Sequence, residues 1–156
     1  MENTGIGSIP AGLGWHPYFF ISENMRNCTL QMPELERIEI DDRMIPTGNR
    51  EKISTFTNPV PLANVRLDNC FFIDNQQKPF VAVLDAPSGK LTYTQETGPD
   101  KFNYAQIFTP DHKRSIALEP MTCNINAFNN GEGLKILQPG EQFGGQCSIR
   151  FAKNFR

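Results

Sequence analysis

The sequence predicts an all-β protein, an antiparallel β-sandwich, and two observations support this fold class. Apolar and polar residues alternate over residues 37–41, 90–94 and 147–151, which is the pattern of strands with one face in water. Turn-forming Gly, Pro and Asn separate the runs at short intervals. They occur at residues 46–49, 86–89, 129–133 and 138–140. Many short strands joined by closely spaced turns are typical of sandwiches.

Two further segments carry patterns of their own. Residues 80–84 are a continuous apolar run, which predicts a strand buried on both faces. Residues 44–62 are the longest stretch without strand alternation, and they predict a long loop of the kind that often carries function.

Residues 115–120 predict a strand that presents a carboxylate at its end. Strand geometry places Ile116 and Leu118 on one face and Glu119 on the other. Pro120 is expected to end the hydrogen-bond ladder because it has no N–H to donate. Glu119 is then either an acid facing a cavity or an ordinary exposed strand glutamate.

Length and composition limit the classes of function. A chain of 156 residues predicts a single domain over residues 1–156. The formal net charge is −2, with both signs well mixed, so we expect neither a nucleic-acid partner nor a membrane surface. The N-terminus has no pattern of a signal peptide, which favours a cytoplasmic protein. Four cysteines without C-x-x-C spacing and only two histidines predict free buried thiols and no metal site.

Candidate site residues are few. His16 stands between glycine, proline and aromatic residues in the run Gly-Trp-His-Pro-Tyr-Phe, which can hold an imidazole rigidly in either a structural or a catalytic role. His112 lies among charged residues and predicts a solvent-exposed loop. Asp68 precedes Phe71 and Phe72, an arrangement that suits sugar hydroxyls and pyranose C–H faces, or else an Asx turn. Phosphate loops and the common hydrolase motifs are missing from the sequence.

Four segments, taken in order, resemble the aldose 1-epimerase (galactose mutarotase) family. They are Pro-Ala-Gly-Leu-Gly-Trp-His-Pro-Tyr-Phe at 10–19, Pro-Thr-Gly at 46–48, Leu-Asp-Asn-Cys-Phe at 67–71 and Ala-Leu-Glu-Pro-Met-Thr at 117–122. The run Leu-Gln-Pro-Gly-Glu at 137–141 is similar to a turn of the same family. The resemblance implies a β-sandwich of the galactose mutarotase (supersandwich) type.

The resemblance also implies a function and residue roles. The activity would be the interconversion of the α and β anomers of a hexose, an isomerase reaction of carbohydrate metabolism that requires no cofactor. His16 matches the general acid, Glu119 the general base and Asp68 a residue that binds sugar hydroxyls. Phe108 stands where an aromatic residue often lines the sugar pocket.

The family pattern is incomplete in this chain. A second histidine and an arginine of the family's N-terminal half match no segment, so we expect the chain to be the C-terminal portion of the sandwich, a partial domain. Three interpretations stay open: an active epimerase, a non-catalytic carbohydrate-binding or vestigial half-domain, and a chain that pairs with a second copy or with a chain supplying the other half. An exposed sheet edge would favour such pairing.

Overall fold

The structure is a computed structural model, and it describes residues 1–74 and 78–154. These residues form strands β1 Ile9–Ala11, β2 Tyr18–Phe19, β3 Thr29–Gln31, β4 Leu35–Ile40, β5 Pro46–Ile53, β6 Val60–Pro61, β7 Asp68–Phe72, β8 Phe80–Ala86, β9 Gly89–Gln95, β10 Tyr104–Phe108, β11 Ile116–Met121, β12 Lys135–Leu137 and β13 Cys147–Lys153. The single α-helix of the described residues is α1 Ala127–Asn130, and short 3-10 helices cover Met25–Asn27, Thr55–Thr57 and Leu62–Asn64.

Two antiparallel sheets enclose the main core. The six-stranded sheet has the order β2-β11-β10-β7-β4-β5, and the five-stranded sheet has the order β13-β9-β8-β3-β6. Strands β1 and β12 form a separate pair. Side chains of both large sheets meet in one apolar cluster, which includes Phe71, Ile107 and Leu118 from the first sheet and Leu84 and Tyr93 from the second. The predicted antiparallel β-sandwich is therefore confirmed.

The predicted strands are present, but the burial predicted for residues 80–84 is wrong. This run lies in β8, where Phe80, Ala82 and Leu84 are buried in the core. Val81 is exposed, and Val83 is only half-buried. Successive side chains of a strand point to opposite faces, and the outer face of the five-stranded sheet is open to solvent. Val81 and Val83 therefore lie on this exposed face, although both are apolar.

The predicted loop at 44–62 and the predicted turn at 46–49 are also wrong. Strand β5 covers the whole predicted turn, and together with the 3-10 helix at Thr55–Thr57 and strand β6 it covers most of the predicted loop. The reversal occurs earlier, where the Asp41 carboxylate accepts hydrogen bonds from the backbone N–H groups of Arg43 and Ile45. Strand β5 is exposed over most of its length. It therefore lacks the apolar alternation by which a strand is detected, and pairing with β4 holds it in place.

The expectation that Pro120 ends the ladder of β11 is wrong as well. Strand β11 continues to Met121, and Pro120 lies opposite Ala105 of β10. The carbonyl oxygen of Pro120 accepts from the backbone N–H of Trp15. The backbone N and O atoms of one residue in an antiparallel strand point to the same neighbouring strand. The nitrogen of Pro120, which carries no hydrogen, therefore faces the β2 side, and no hydrogen bond between β11 and β10 is lost.

The structure also bears on the four cysteines and on membrane-spanning helices. All four thiols are free, but only Cys28 and Cys70 are buried, while Cys123 and Cys147 are half-buried. No helix of residues 1–74 and 78–154 has both the length and the apolar character needed to cross a membrane.

Candidate active site

The structure brings His16 and Glu119 into contact. Ile116 and Leu118 of β11 point into the core, so Glu119 projects from the opposite face of the six-stranded sheet. Ala117 of β11 is paired with Tyr18 of β2, and continuation of this register places His16 across from Glu119. His16 Nε2 lies 3.2 Å from Glu119 Oε1, with side-chain exposures of 56% for the histidine and 10% for the glutamate.

Backbone hydrogen bonds hold the His16 segment against β11. The N–H of Trp15 donates to the carbonyl of Pro120 over 3.2 Å, and the N–H of Thr122 donates to the carbonyl of Leu13 over 2.9 Å. The Thr122 hydroxyl accepts from the N–H of Leu13. The imidazole of His16 is stacked on the ring of Tyr18, with centroids 4.9 Å apart. The ring is therefore fixed on the sheet surface and is not packed in the core.

Burial makes Glu119 a stronger base than an exposed glutamate. Desolvation raises the pKa of Glu119 above its ordinary value, the charge of His16 opposes this rise, and the charge of Asp68 adds to it. A carboxylate with a raised pKa accepts a proton more readily, which brings its pKa closer to the working pH of a general base.

Asp68 and Gln106 form a second polar group on the same face. Gln106 of β10 lies opposite Glu119 on one side and Cys70 of β7 on the other. Its Nε2 donates to Asp68 Oδ1 over 2.8 Å. Asp68 thus begins strand β7 and pairs with Gln106, and the alternative of an Asx turn is wrong. The Oε1 atom of Gln106 is buried and has no hydrogen-bond partner among the described residues.

Sequence analysis missed Gln106, although it lies between the two predicted carboxylates. Its own segment, Tyr-Ala-Gln-Ile-Phe, has the pattern of any strand with one wet face. The role depends on the register of β10 between β7 and β11, and nothing local in the sequence determines that register. The alternation in β10 was the one available signal, because it places Gln106 on the face opposite Ile107.

Phe108 lies on the same face of the sheet, two residues after Gln106 in β10. It pairs with Asp68 and with Ala117, so it stands beside Asp68 in the row of side chains that ends at Tyr18. A depression of about 450 Å³ at this end of the row is lined in part by Asp68, Phe108 and Thr109. His16 and Glu119 are outside this lining and lie further along the sheet surface.

The second histidine, His112, makes a local hydrogen bond to the backbone. His112 is exposed, as predicted, and its Nδ1 accepts the backbone N–H of Arg114. Within residues 1–74 and 78–154 there is no group of three or more His, Cys, Asp or Glu side chains that could hold a metal ion.

Comparisons with known proteins find a matching family model, a curated relative and solved structures of the same fold. The family model described as aldose 1-epimerase matches residues 1–150. Escherichia coli strain K12 has a relative, the uncharacterized protein YihR, that is 25% identical in an alignment of 146 residues, and the match covers 90% of this chain and 46% of YihR.

Solved structures share the fold. A galactose mutarotase-like protein from Clostridium acetobutylicum matches 98% of this chain and 51% of its own, with a TM-score of 0.79 and 22% identity. A galactose mutarotase related enzyme from Lactobacillus acidophilus matches 97% of this chain and 55% of its own, with a TM-score of 0.75 and 17% identity. This chain thus spans about half the length of the relatives it matches.

Proposed function

The chain belongs to the aldose 1-epimerase family, and on that premise we propose that it interconverts the α and β anomers of a hexose. The observation that carries the proposal is the 3.2 Å contact between His16 Nε2 and Glu119 Oε1 on an exposed sheet face. Mutarotation needs one group that accepts a proton and one that donates a proton, and this pair supplies both.

The proposed reaction opens and recloses the cyclic hemiacetal. Glu119 takes the proton of the C1 hydroxyl, the bond between C1 and the ring oxygen breaks, and C1 becomes an aldehyde carbon. Protonated His16 gives its proton to the departing ring oxygen. After rotation about the C1–C2 bond, the same oxygen attacks the other face of the aldehyde, and both protons return to their original groups.

The closeness of the two side chains suits this chemistry. The C1 hydroxyl oxygen and the ring oxygen are bonded to the same carbon, so they are near neighbours in the sugar. An acid and a base already in contact can therefore reach both oxygens from one edge of the ring. Holding reacting groups in place in this way removes much of the entropic cost of bringing them together.

Neighbouring side chains provide contacts for the rest of the sugar. The carboxylate of Asp68, which the Nε2 of Gln106 holds by a hydrogen bond of 2.8 Å, can accept hydrogen bonds from hydroxyl groups. The rings of Tyr18 and Phe108 on the same face offer apolar surface to the C–H groups of a pyranose. Both features favour a hexose over a charged or wholly apolar ligand.

The test is anomer exchange of glucose and galactose, followed by polarimetry and by NMR. We expect Glu119→Gln and His16→Ala each to lower the rate by about 10²–10⁴-fold, the usual contribution of a positioned proton transfer. Glu36→Gln is the matched control, because Glu36 lies on β4 of the same sheet and pairs with Arg50. Unchanged rates in both site variants would refute the assignment.

A second candidate is a non-catalytic carbohydrate-binding half-domain. It is favoured by the chain's match to only about half of its relatives' length and by the exposure of His16 at the edge of the sheet. It predicts that hexose binds, with shifts in the NMR signals of Asp68 and Gln106, while anomer exchange stays at the rate of buffer.

A further inference from the structure

Residues 122–134, between β11 and β12, lie on the outer face of the six-stranded sheet, and we call them the covering loop. Beneath the loop is a small apolar cluster with one buried residue from each of three strands, Ile38, Cys70 and Tyr104. Ile125 of the loop packs against this cluster. The thiol of Cys70 donates to Asn124 Oδ1 over 3.7 Å. The loop therefore shields a second apolar cluster on the face that also carries the candidate active site.

The covering loop is hydrogen-bonded to the segment that carries His16. The backbone N–H of Thr122 donates to the carbonyl of Leu13, and the Thr122 hydroxyl accepts from the N–H of Leu13. The two ends of the loop are also joined, since the backbone N–H of Asn124 donates to the carbonyl of Glu132 over 3.0 Å. The Asn124 side chain donates to the Glu132 carboxylate. A displacement at Glu132 is therefore passed through Asn124 to the part of the loop that holds the His16 segment.

Arg50 of β5 joins the far edge of the sheet to the covering loop. Its Nη2 atom lies 3.6 Å from Glu132 Oε2. The same guanidinium lies 4.0 Å over the centre of the Phe72 ring, and its Nη1 atom lies 3.4 Å from Glu36 Oε2. The side chains of Arg50 and Glu132 are 28% and 33% exposed, so solvent screens their attraction less than that of a fully exposed pair.

The Pro-Thr-Gly motif at residues 46–48 lies immediately before this arginine in β5. The Thr47 hydroxyl donates to Glu39 Oε2 over 3.1 Å and accepts from the backbone N–H of Asn49. The register between β4 and β5 shifts at this point, and irregularities of this kind redirect the side chains beside them. The proposed reaction has no use for the motif itself. Its contribution is to place Arg50 on the face that carries the covering loop.

We propose that Arg50 is a positioning residue for the general acid, and that it acts on His16 through Glu132 and the covering loop. The ion pair holds the loop on the sheet, and the hydrogen bonds of Thr122 hold the His16 segment on the loop. When the ion pair is removed, the loop opens more often and the imidazole is at Glu119 for less of the time. The role of His16 as an acid rests on the proposed function, whereas the physical link does not.

Three variants and one control test the link. Arg50→Met removes the charge and keeps the apolar stem, and Glu132→Gln removes the partner's charge but keeps an oxygen for Asn124. Because both remove the same contact, their effects should not add in the double variant. Arg50→Lys retains a positive charge and should lie between the wild type and Arg50→Met. Glu36→Gln is the matched control, since it removes the other ion pair of Arg50 and leaves the pair with Glu132 intact.

Trp15, the single tryptophan of the chain, reports directly on the His16 segment. It is adjacent to His16 and half-exposed. In Arg50→Met and Glu132→Gln we expect its fluorescence emission to shift to longer wavelength and its quenching by acrylamide to increase. Far-UV circular dichroism should be unchanged, and Glu36→Gln should behave as the wild type does.

Thiol labelling separates opening of the covering loop from loss of the whole fold. Cys70 lies beneath the loop and Cys28 lies in the main core, and both are buried. Iodoacetamide should label Cys70 about two- to fivefold faster in Arg50→Met and Glu132→Gln, the range for loss of a partly exposed ion pair. Cys28 should be labelled at its wild-type rate, because local opening does not require global unfolding. Mass spectrometry of the peptides distinguishes the two thiols.

Anomer exchange adds a kinetic measurement that depends on the proposed function. Arg50→Met and Glu132→Gln should lower kcat by about two- to fivefold. KM should stay nearly unchanged, because the general acid acts in the transition state and not in binding of the ground state.

Four results would overturn the inference. Additive effects of Arg50→Met and Glu132→Gln would show that the two residues act separately, and equal acceleration of Cys28 and Cys70 would show a general loss of stability. Labelling of Cys70 at the wild-type rate would show that the ion pair does not hold the loop. Faster labelling of Cys70 with unchanged Trp15 fluorescence would show that the loop does not hold the His16 segment. A wild-type protein without anomer exchange would refute the proposed function, and the fluorescence and the labelling would still decide this inference.

Discussion

Gly133 and Gly131 provide a matched pair that tests how the loop after β11 supports the site. Both glycines have left-handed backbone conformations, with φ of 72° and 74°. They differ in their surroundings. A Cβ atom at Gly133 would lie 2.7 Å from the carbonyl oxygen of Thr122 and 2.9 Å from Cys123 Cα, whereas a Cβ atom at Gly131 would have nothing within 4 Å.

The two substitutions should therefore have unequal effects. Alanine at either position has the cost of the left-handed conformation, about 1–2 kcal/mol. Gly133→Ala also forces two backbone neighbours apart, and overpacking of this kind adds about 1–3 kcal/mol. For a chain of this size each kcal/mol changes the Tm by about 2–4 °C. We expect Gly133→Ala to lower the Tm by about 2–12 °C more than Gly131→Ala does.

Thermal unfolding followed by circular dichroism gives the two Tm values, and hydrogen exchange gives a local measurement. Thr122 is hydrogen-bonded to Leu13, which lies in the segment that carries His16. Displacement of Thr122 by Gly133→Ala should therefore speed exchange of the Trp15 amide, while Gly131→Ala should leave it unchanged. Equal Tm losses in the two variants would refute the reasoning, because they would show that the contacts of Gly133 cost nothing.

Two further predictions concern the carboxylate and the amide of the site. Burial raises the pKa of Glu119 in the folded protein, so the stability that Glu119 contributes is present at low pH and is lost as the pH rises from its ordinary value through the raised one. The Tm of the wild type relative to Glu119→Gln should accordingly fall over that interval, and a difference that does not vary with pH would contradict the burial argument. Gln106→Leu should weaken hexose binding by about tenfold, since a hydrogen-bonding group is replaced by an apolar one. Gln31→Leu, in the other sheet, is its control, and equal affinities by NMR titration would exclude Gln106 from the site.

Local pattern was enough to predict the fold class and five of the thirteen strands that the described residues form. Strands with one face in water, such as β4 and β9, are predicted by their alternation because their other face must be apolar. Strand β5 has no such alternation, since it is exposed over most of its length and is held by backbone pairing with β4. A strand that is polar on both faces has no periodic signal, so it was predicted as a loop.

The candidate site was only partly predictable, for a different reason. His16 and Glu119 stand in distinctive short motifs, and their contact follows from the pairing of β2 with β11. Gln106 stands in an ordinary strand sequence, and its position depends on pairing with residues 36 positions upstream and 13 positions downstream in the chain, Cys70 and Glu119. Register between distant strands is set by packing of the whole sheet, which a motif does not report.

The site residues lie in two neighbouring rows of side chains and reach the edge of the sheet. Glu119, Gln106 and Asp68 lie on inner strands, whereas His16 lies at the outer one. On the proposed function, a sugar on this face contacts the acid and the base but is open to water on the side beyond His16. Contacts to remote hydroxyls raise kcat by fixing the reacting atoms in place. Because the acid and the base are already in contact, the rate on the proposed function depends chiefly on how firmly the remaining contacts hold the sugar on this face.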